Sequence, residues 1–126
     1  MNAKKRTFDR YNIPGASVVF KKANRLGLFS TSSKPMPLIN ITKSGICFVS
    51  EKRFKHGDCI TVKINIPGEK SINLDVNVRW LKNNIPGEKF HVGAQIRPFG
   101  KGHNYNSLKS LERLRELDKK FEDYDA

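Results

Sequence analysis

The stretch "SINLDVNVRW", Ser71 to Trp80, decides the fold. Ile72, Leu74, Val76, Val78 and Trp80 alternate without exception with Ser71, Asn73, Asp75, Asn77 and Arg79. A period of two sends one set to each face of a pleated strand, so the segment reads as a half-buried β-strand. Trp80 closes the apolar series, which predicts a place in the core or at a barrel end, from where it could line a ligand's edge.

The same period continues on both sides. Ile60, Val62, Ile64 and Ile66 alternate with Thr61, Lys63 and Asn65 upstream, and Phe90, Val92, Ala94 and Ile96 alternate with His91, Gly93 and Gln95 downstream. The motif "IPGEK" stands between these runs twice, at Ile66–Lys70 and Ile85–Lys89. Pro-Gly suits the two central positions of a type II turn, so three antiparallel strands in series are predicted. The sequences after the two copies differ, which argues for reused turn chemistry and against an internal repeat. Ala16–Phe20, Pro37–Thr42 and Gly45–Val49 read as three further strands. Cys47 and Cys59 could then face each other across a hairpin around "SEKRFKHGD".

Beyond Ser107 the period lengthens. Leu111, Leu114, Leu117, Phe121 and Tyr124 fall on one face of a helix, with Asn106 or Ser107 as the N-cap. The stripe is expected to pack across the barrel or close one of its ends, since two heptads are short for a coiled coil. The fold class is therefore mainly β: a six-stranded antiparallel β-barrel, which closes its own edges, with a C-terminal α-helix. At 126 residues the chain suits one domain. Its divisions are a flexible basic arm over 1–12, the barrel over 13–99 and the helix over 104–124. The path of residues 21–36 is not assigned.

The formal net charge is +12, and it is unevenly spread. Residues 1–55 carry twelve Lys or Arg against Asp9 and Glu51, a balance of +10, while residues 56–126 carry twelve against ten, a balance of +2. Such a field attracts anions: nucleic acid, an acidic membrane surface or a phosphorylated ligand. No stretch approaches the roughly 20 apolar residues of a membrane span, and no secretory signal opens the chain, which predicts a cytoplasmic protein whose cysteines are thiols. His56, Cys59 and Cys47 are too few for a zinc site, and His91 and His103 lack a nucleophile motif beside them. No catalytic role, metal or cofactor is expected.

Two short motifs carry the chemistry. "RTFDR" places Arg6 and Arg10 four apart in a segment too polar to fold by itself, and "NITKSG" places Asn40 and Thr42 on one strand face with Gly45 just beyond. Gly45 permits a positive φ or the close approach of a ligand. Each is weak alone. An Arg-x-x-x-Arg arm followed some thirty residues later by Asp/Asn-x-Ser/Thr-x-x-Gly in a β-rich chain resembles the PilZ domain family, and "VRW" (Val78–Trp80), "VGAQI" (Val92–Ile96) and the terminal helix extend the resemblance.

The resemblance implies a receptor for cyclic di-GMP. Arg6 and Arg10 would grip guanines and phosphates, with Lys5 as an additional candidate; Asn40 and Thr42 would be the polar contacts on the barrel and Gly45 the close-approach position. Arginine suits the part, because its fork pairs with guanine O6 and N7 or with phosphate oxygens and also stacks on a base. Thr42 departs from the family's usual serine, adding a methyl beside the ligand. Ordering of the arm would change the surface offered to a downstream protein partner. Two alternatives remain: a small basic barrel binding RNA or single-stranded DNA, which would display aromatics outside while Phe48, Trp80 and Phe90 read as core, and a PilZ-like interaction module that binds no nucleotide.

Overall fold

The computed structural model describes residues 13–22, 33–42, 44–85, 87 and 89–121. Six strands, β1 (Ser17–Lys22), β2 (Met36–Ile41), β3 (Gly45–Ser50), β4 (Cys59–Asn65), β5 (Ile72–Ile85) and β6 (Lys89–Ile96), are followed by one helix, α1 (Leu108–Lys120). The strands close into an antiparallel barrel in the order β1-β2-β3-β6-β5-β4. Mainly β with a six-stranded barrel and a terminal helix is thus the architecture expected from the alternating runs. Inward residues of every strand, among them Val18, Leu38, Phe48, Val62, Leu74, Val76 and Val92, form one buried core.

Local chemistry sets the reversals. In the first "IPGEK" the Glu69 amide donates to the Ile66 carbonyl at 3.0 Å and Gly68 sits at φ 77, the left-handed position that glycine occupies at no steric cost. A third Pro-Gly pair builds the same turn ahead of β1, where the Ala16 amide donates to the Ile13 carbonyl at 3.0 Å and Gly15 has φ 77.

Two ladders slip, β2–β3 once and β5–β6 twice, and the first slip in each redirects side chains. Between β2 and β3 the register shifts between Leu38 and Asn40, so Leu38 and Ile41 both point inward while Asn40 turns out. Between β5 and β6 it shifts between Val78, opposite Ala94, and Trp80, opposite Gly93. A β-bulge gives two residues of one strand a single partner and flips the facing of the residues beyond it. Trp80 is therefore not a core residue: it stands on the outer wall, 42% exposed. Phe48 and Phe90 are buried as expected.

The cysteine juxtaposition also fails. β6 and β5 lie between β3 and β4, so residues 51–58 cross the barrel and are not a hairpin turn. Cys47 sits opposite Asn40 and Gly93, Cys59 opposite Asn77, and neither is in a disulfide.

α1 closes the barrel at the β4–β5 turn. Leu114 and Leu117 enter the core, with Phe121 packed against it. Ser107 is the N-cap, its hydroxyl accepting from the Ser110 amide at 3.1 Å. Asn106 has a different part. Its carboxamide is buried and acts as a strand residue toward β5, accepting from the Asp75 amide at 2.7 Å and donating to the carbonyls of Asp75 (3.1 Å) and Arg97 (2.8 Å). Glu69 accepts from Lys120 and faces Arg113 at 3.7 Å, tying helix to turn. No helix among the described residues is long and apolar enough to cross a membrane.

Candidate ligand groove on the barrel wall

An open groove of about 910 Å³ crosses the outer face of β2, β3, β6 and β5. Asn40 and Thr42 form one wall, Arg79, Trp80 and Lys82 form the other, and Ser44, Gly45, Cys47, Gly93 and Gln95 lie between. Each wall owes its polar character to one of the two bulges. Asn40 is turned out by the slip in β2, and Trp80 by the slip in β5. Bulges concentrate where a strand must re-aim a side chain, and here two face each other across the same groove.

Thr42 has a double part. Its hydroxyl oxygen accepts from the amides of Ser44 (3.1 Å) and Gly45 (2.9 Å), while the Thr42 amide donates to the Gly45 carbonyl at 2.8 Å. These bonds fasten the β2–β3 reversal. Both lone pairs are thereby engaged, so what Thr42 retains for a ligand is its proton, whose protein acceptors, Ser44 Oγ and the Gly45 carbonyl, stand at 3.4 Å. Gly45 does not use a positive φ. A Cβ there would stand 3.4 Å from the Ala94 carbonyl oxygen and 3.9 Å from Thr42 Oγ1, ordinary contacts, so the barrel itself does not demand a glycine. A side chain would instead occupy groove.

Three of the residues singled out from the sequence, Asn40, Thr42 and Gly45, thus come together on one surface. Lys5, Arg6 and Arg10 lie outside the described residues. Arg79 and Lys82 were not singled out, and Trp80, able from the sequence to line a ligand's edge, was expected in the core or at a barrel end, because strict alternation places it inside and a bulge leaves no mark in periodicity. One signal was present: an isolated glycine within the strand "HVGAQ" marks a bulge or a close approach. Gly93 is such a position. A Cβ on it would fall 2.0 Å from Trp80 Cε2 and 2.3 Å from Cζ2. The charge of the groove is one-sided, since Arg79 and Lys82 line it and no carboxylate does among the described residues. Nor does any group of three His, Cys, Asp or Glu among them have the placing to hold a metal ion.

The family model for the PilZ domain matches residues 4–111. Among solved structures, the PilZ domain of Escherichia coli YcgR with c-di-GMP is similar with a TM-score of 0.66 and 10% identity, over 95% of this chain and 93% of that one. The Bacillus subtilis inhibitor of motility MotI/DgrA is similar with a TM-score of 0.61 and 18% identity, over 93% of this chain and 54% of that one. The MrkH–c-di-GMP complex of K. pneumonia is similar with a TM-score of 0.65 and 9% identity, over 94% and 52%. The chain spans about half the length of these last two proteins. At such identities the likeness is one of fold. No curated protein sequence matches the chain. The match to the family model, however, runs through both short motifs, all six strands and the start of the helix, and on it the chain belongs to the PilZ domain family.

Proposed function

We propose that this protein is a non-enzymatic, cytoplasmic receptor for cyclic di-GMP, and that the dinucleotide sits in the groove between Asn40 and Trp80. The observation that carries the reading is the meeting of Asn40, Thr42 and Gly45 on the wall of a groove whose described lining includes Arg79 and Lys82 and no carboxylate. Two phosphates and two guanines need cationic charge and edge-reading polar groups together. Two similar structures, YcgR and MrkH, were solved with c-di-GMP.

Residues 1–12 act as an arm on a single domain made of the barrel and its C-terminal helix. Arg6 and Arg10 pair with phosphates and guanine edges, and Lys5 adds charge. Reach supports this. The Leu38 amide donates to the Ala16 carbonyl at 3.3 Å, so Ala16, four residues beyond the arm, lies beside β2, two residues from Asn40. Arg10 is three residues before Ile13 and Arg6 seven, spans of at most ~11 and ~25 Å. Binding orders the arm on the barrel and presents a changed surface to a downstream protein, a disorder-to-order switch.

Isothermal titration of the full chain with cyclic di-GMP tests the reading. Arg6→Ala or Arg10→Ala is expected to weaken binding by ~1.5–3 kcal/mol, the range for a lost charge-assisted hydrogen bond. Wild-type protein that releases no heat at high micromolar ligand sinks the receptor. Unchanged affinity in both variants removes the arm. One observation favours a second reading: Trp80 is exposed on the outer face, where single-strand binders keep stacking aromatics. Salt separates the two, because oligonucleotide affinity falls steeply with ionic strength and that of a dinucleotide with two phosphates falls shallowly.

A further inference from the structure

Three large hydrophobic residues are exposed among the described residues, and two of them, Tyr105 and Leu108, stand away from the ligand groove, at the start of α1. Beside them a second groove, of about 550 Å³, runs between the first residues of β5 and the helix N-terminus. Its walls are fixed. The loop that carries Tyr105 is closed by the Gly100 amide donating to the Asn106 carbonyl and the Asn106 amide donating to the Pro98 carbonyl, both at 2.9 Å, and the Asn106 carboxamide ties it to β5. The Tyr105 ring lies against Gly100, where a Cβ would stand 3.2 Å from Cγ and Cδ1. An exposed aromatic seated on backbone offers apolar area at little entropic cost.

Lys70, Lys109 and Arg113 line this groove against one carboxylate, that of Asp75, which accepts from the Thr61 hydroxyl at 2.8 Å. Arg113 is committed, donating to Glu116 at 3.0 Å and to the Lys70 carbonyl at 3.1 Å. Lys70 and Lys109 are exposed and form no ion pair among the described residues. The backbone adds a donor. Antiparallel partners alternate between bonded and non-bonded pairs, and Asp75 turns its amide and carbonyl away from β4, to Asn106 and Arg97, so Asn73 turns the same way. The Asn73 carbonyl accepts from the Ser110 hydroxyl at 3.3 Å, and its amide, on the same side, meets no acceptor among the described residues.

We propose that this groove docks a short acidic segment of a partner protein that carries one aromatic or aliphatic side chain. The carboxylates pair with Lys70 and Lys109, the apolar side chain covers Tyr105, and a main-chain carbonyl accepts from the Asn73 amide, as when an extended peptide is held at a strand edge. Charge argues against a second copy meeting this one face to face, since the chain carries +12 and a two-fold axis would bring the Lys70 and Lys109 of both copies together. The chain's own acidic run, Glu122, Asp123 and Asp125 about Tyr124, has fitting chemistry but not the reach within one molecule. It follows Phe121, the C-cap, which lies ~20 Å along α1 from Leu108, while the three residues on to Tyr124 span at most ~11 Å. The inference does not rest on the receptor reading, because every group it uses is in place without the dinucleotide.

The probe is a random heptapeptide library displayed on phage and panned, without cyclic di-GMP, on the full chain. Prior depletion on the Lys70→Glu/Lys109→Glu protein removes peptides that bind the cationic arm. Retained peptides should carry Asp or Glu beside an aromatic or aliphatic residue and bind wild type roughly tenfold or more tightly than the double variant, with a comparable loss on Tyr105→Ala. They should also shift the amide resonances of Asn73 and Lys109 and leave Gly45 in place. Circular dichroism identifies any variant that fails to fold, and the shift map then decides alone. The proposal is overturned if depletion leaves no peptide, if the retained peptides lack acidic residues, or if they shift Gly45 and Asn40 instead. It is overturned equally if the chain pairs with itself in sedimentation and removal of residues 122–126 abolishes the pairing, which would give the groove to the tail of a second copy. A calorimetric null with cyclic di-GMP bears on the receptor reading alone.

Discussion

Gly45 begins β3 with no need for a positive φ and with room for a methyl group, which makes it an unusually clean probe of the groove. Gly45→Ala should leave stability within ~0.5 kcal/mol of wild type by urea denaturation, as for substitutions that break no packing, while cyclic di-GMP affinity drops by roughly tenfold or more. Equal affinity would show that the ligand does not approach this backbone. Thr42 inverts the pattern. Because its oxygen fastens the amides of Ser44 and Gly45, Thr42→Ala should cost ~0.5–1.5 kcal/mol of stability, whereas Thr42→Ser keeps both bonds and removes only the methyl beside the groove. Urea midpoints that do not separate the two variants would refute the turn-fastening role. At this scale the sequence was legible wherever a residue's role is set by its neighbours along the chain. Asn40 and Thr42, two apart on a strand, could be placed on one face. Trp80 could not, since its direction is decided by a slip against β6 that no local pattern records.

The elements themselves were legible to within a few residues, because alternation and Pro-Gly turns are local signals. Order around the barrel was not: chain order suggested Cys47 facing Cys59, while closure puts β6 and β5 between their strands. The helix shows how an element is held in place. Leu114 and Leu117 bury its apolar stripe, and Glu69 at the β4–β5 turn bonds Lys120 and faces Arg113. The Lys120 hydrogen bond, helped by the charges of Lys120 and Arg113, holds the Glu69 carboxyl below its ordinary value of 4.5 against the desolvation that raises it. A depressed carboxylate contributes stability that is fully present above the unfolded value and is lost as pH falls through the folded one. Urea midpoints should therefore decline as the pH falls below about 4.5, and Glu69→Gln should remove its share of that decline. An identical pH profile in the variant would show that the contact contributes nothing. The contact is exposed to solvent on the Lys120 side, so its share is expected to shrink in high salt.

For the whole molecule, the division of labour runs along β5. Its first residues, Ile72 to Asp75, meet the helix and Asn106, and its later ones, Arg79 to Lys82, form a wall of the groove. The helix end is thus held by packing and hydrogen bonds, and the groove lies on the wall that β5 shares with β6, β3 and β2. The excess of positive charge in residues 1–55 was legible from composition, and so was the family, because its two motifs sit at a characteristic spacing. The shape of the groove was not, since it depends on two bulges placed opposite each other by barrel closure. On the proposed function the arm and the groove engage the same ligand. An NMR titration of the isotopically labelled full chain with cyclic di-GMP tests it most directly. Saturable shifts should appear together at Arg6 and Arg10, at Asn40, Gly45 and Gly93, and at the Trp80 indole, while Asn73 and Ser110 at the helix end stay in place. Saturation with Arg6, Arg10 or Asn40 unmoved, or shifts gathered at the helix end, would contradict it.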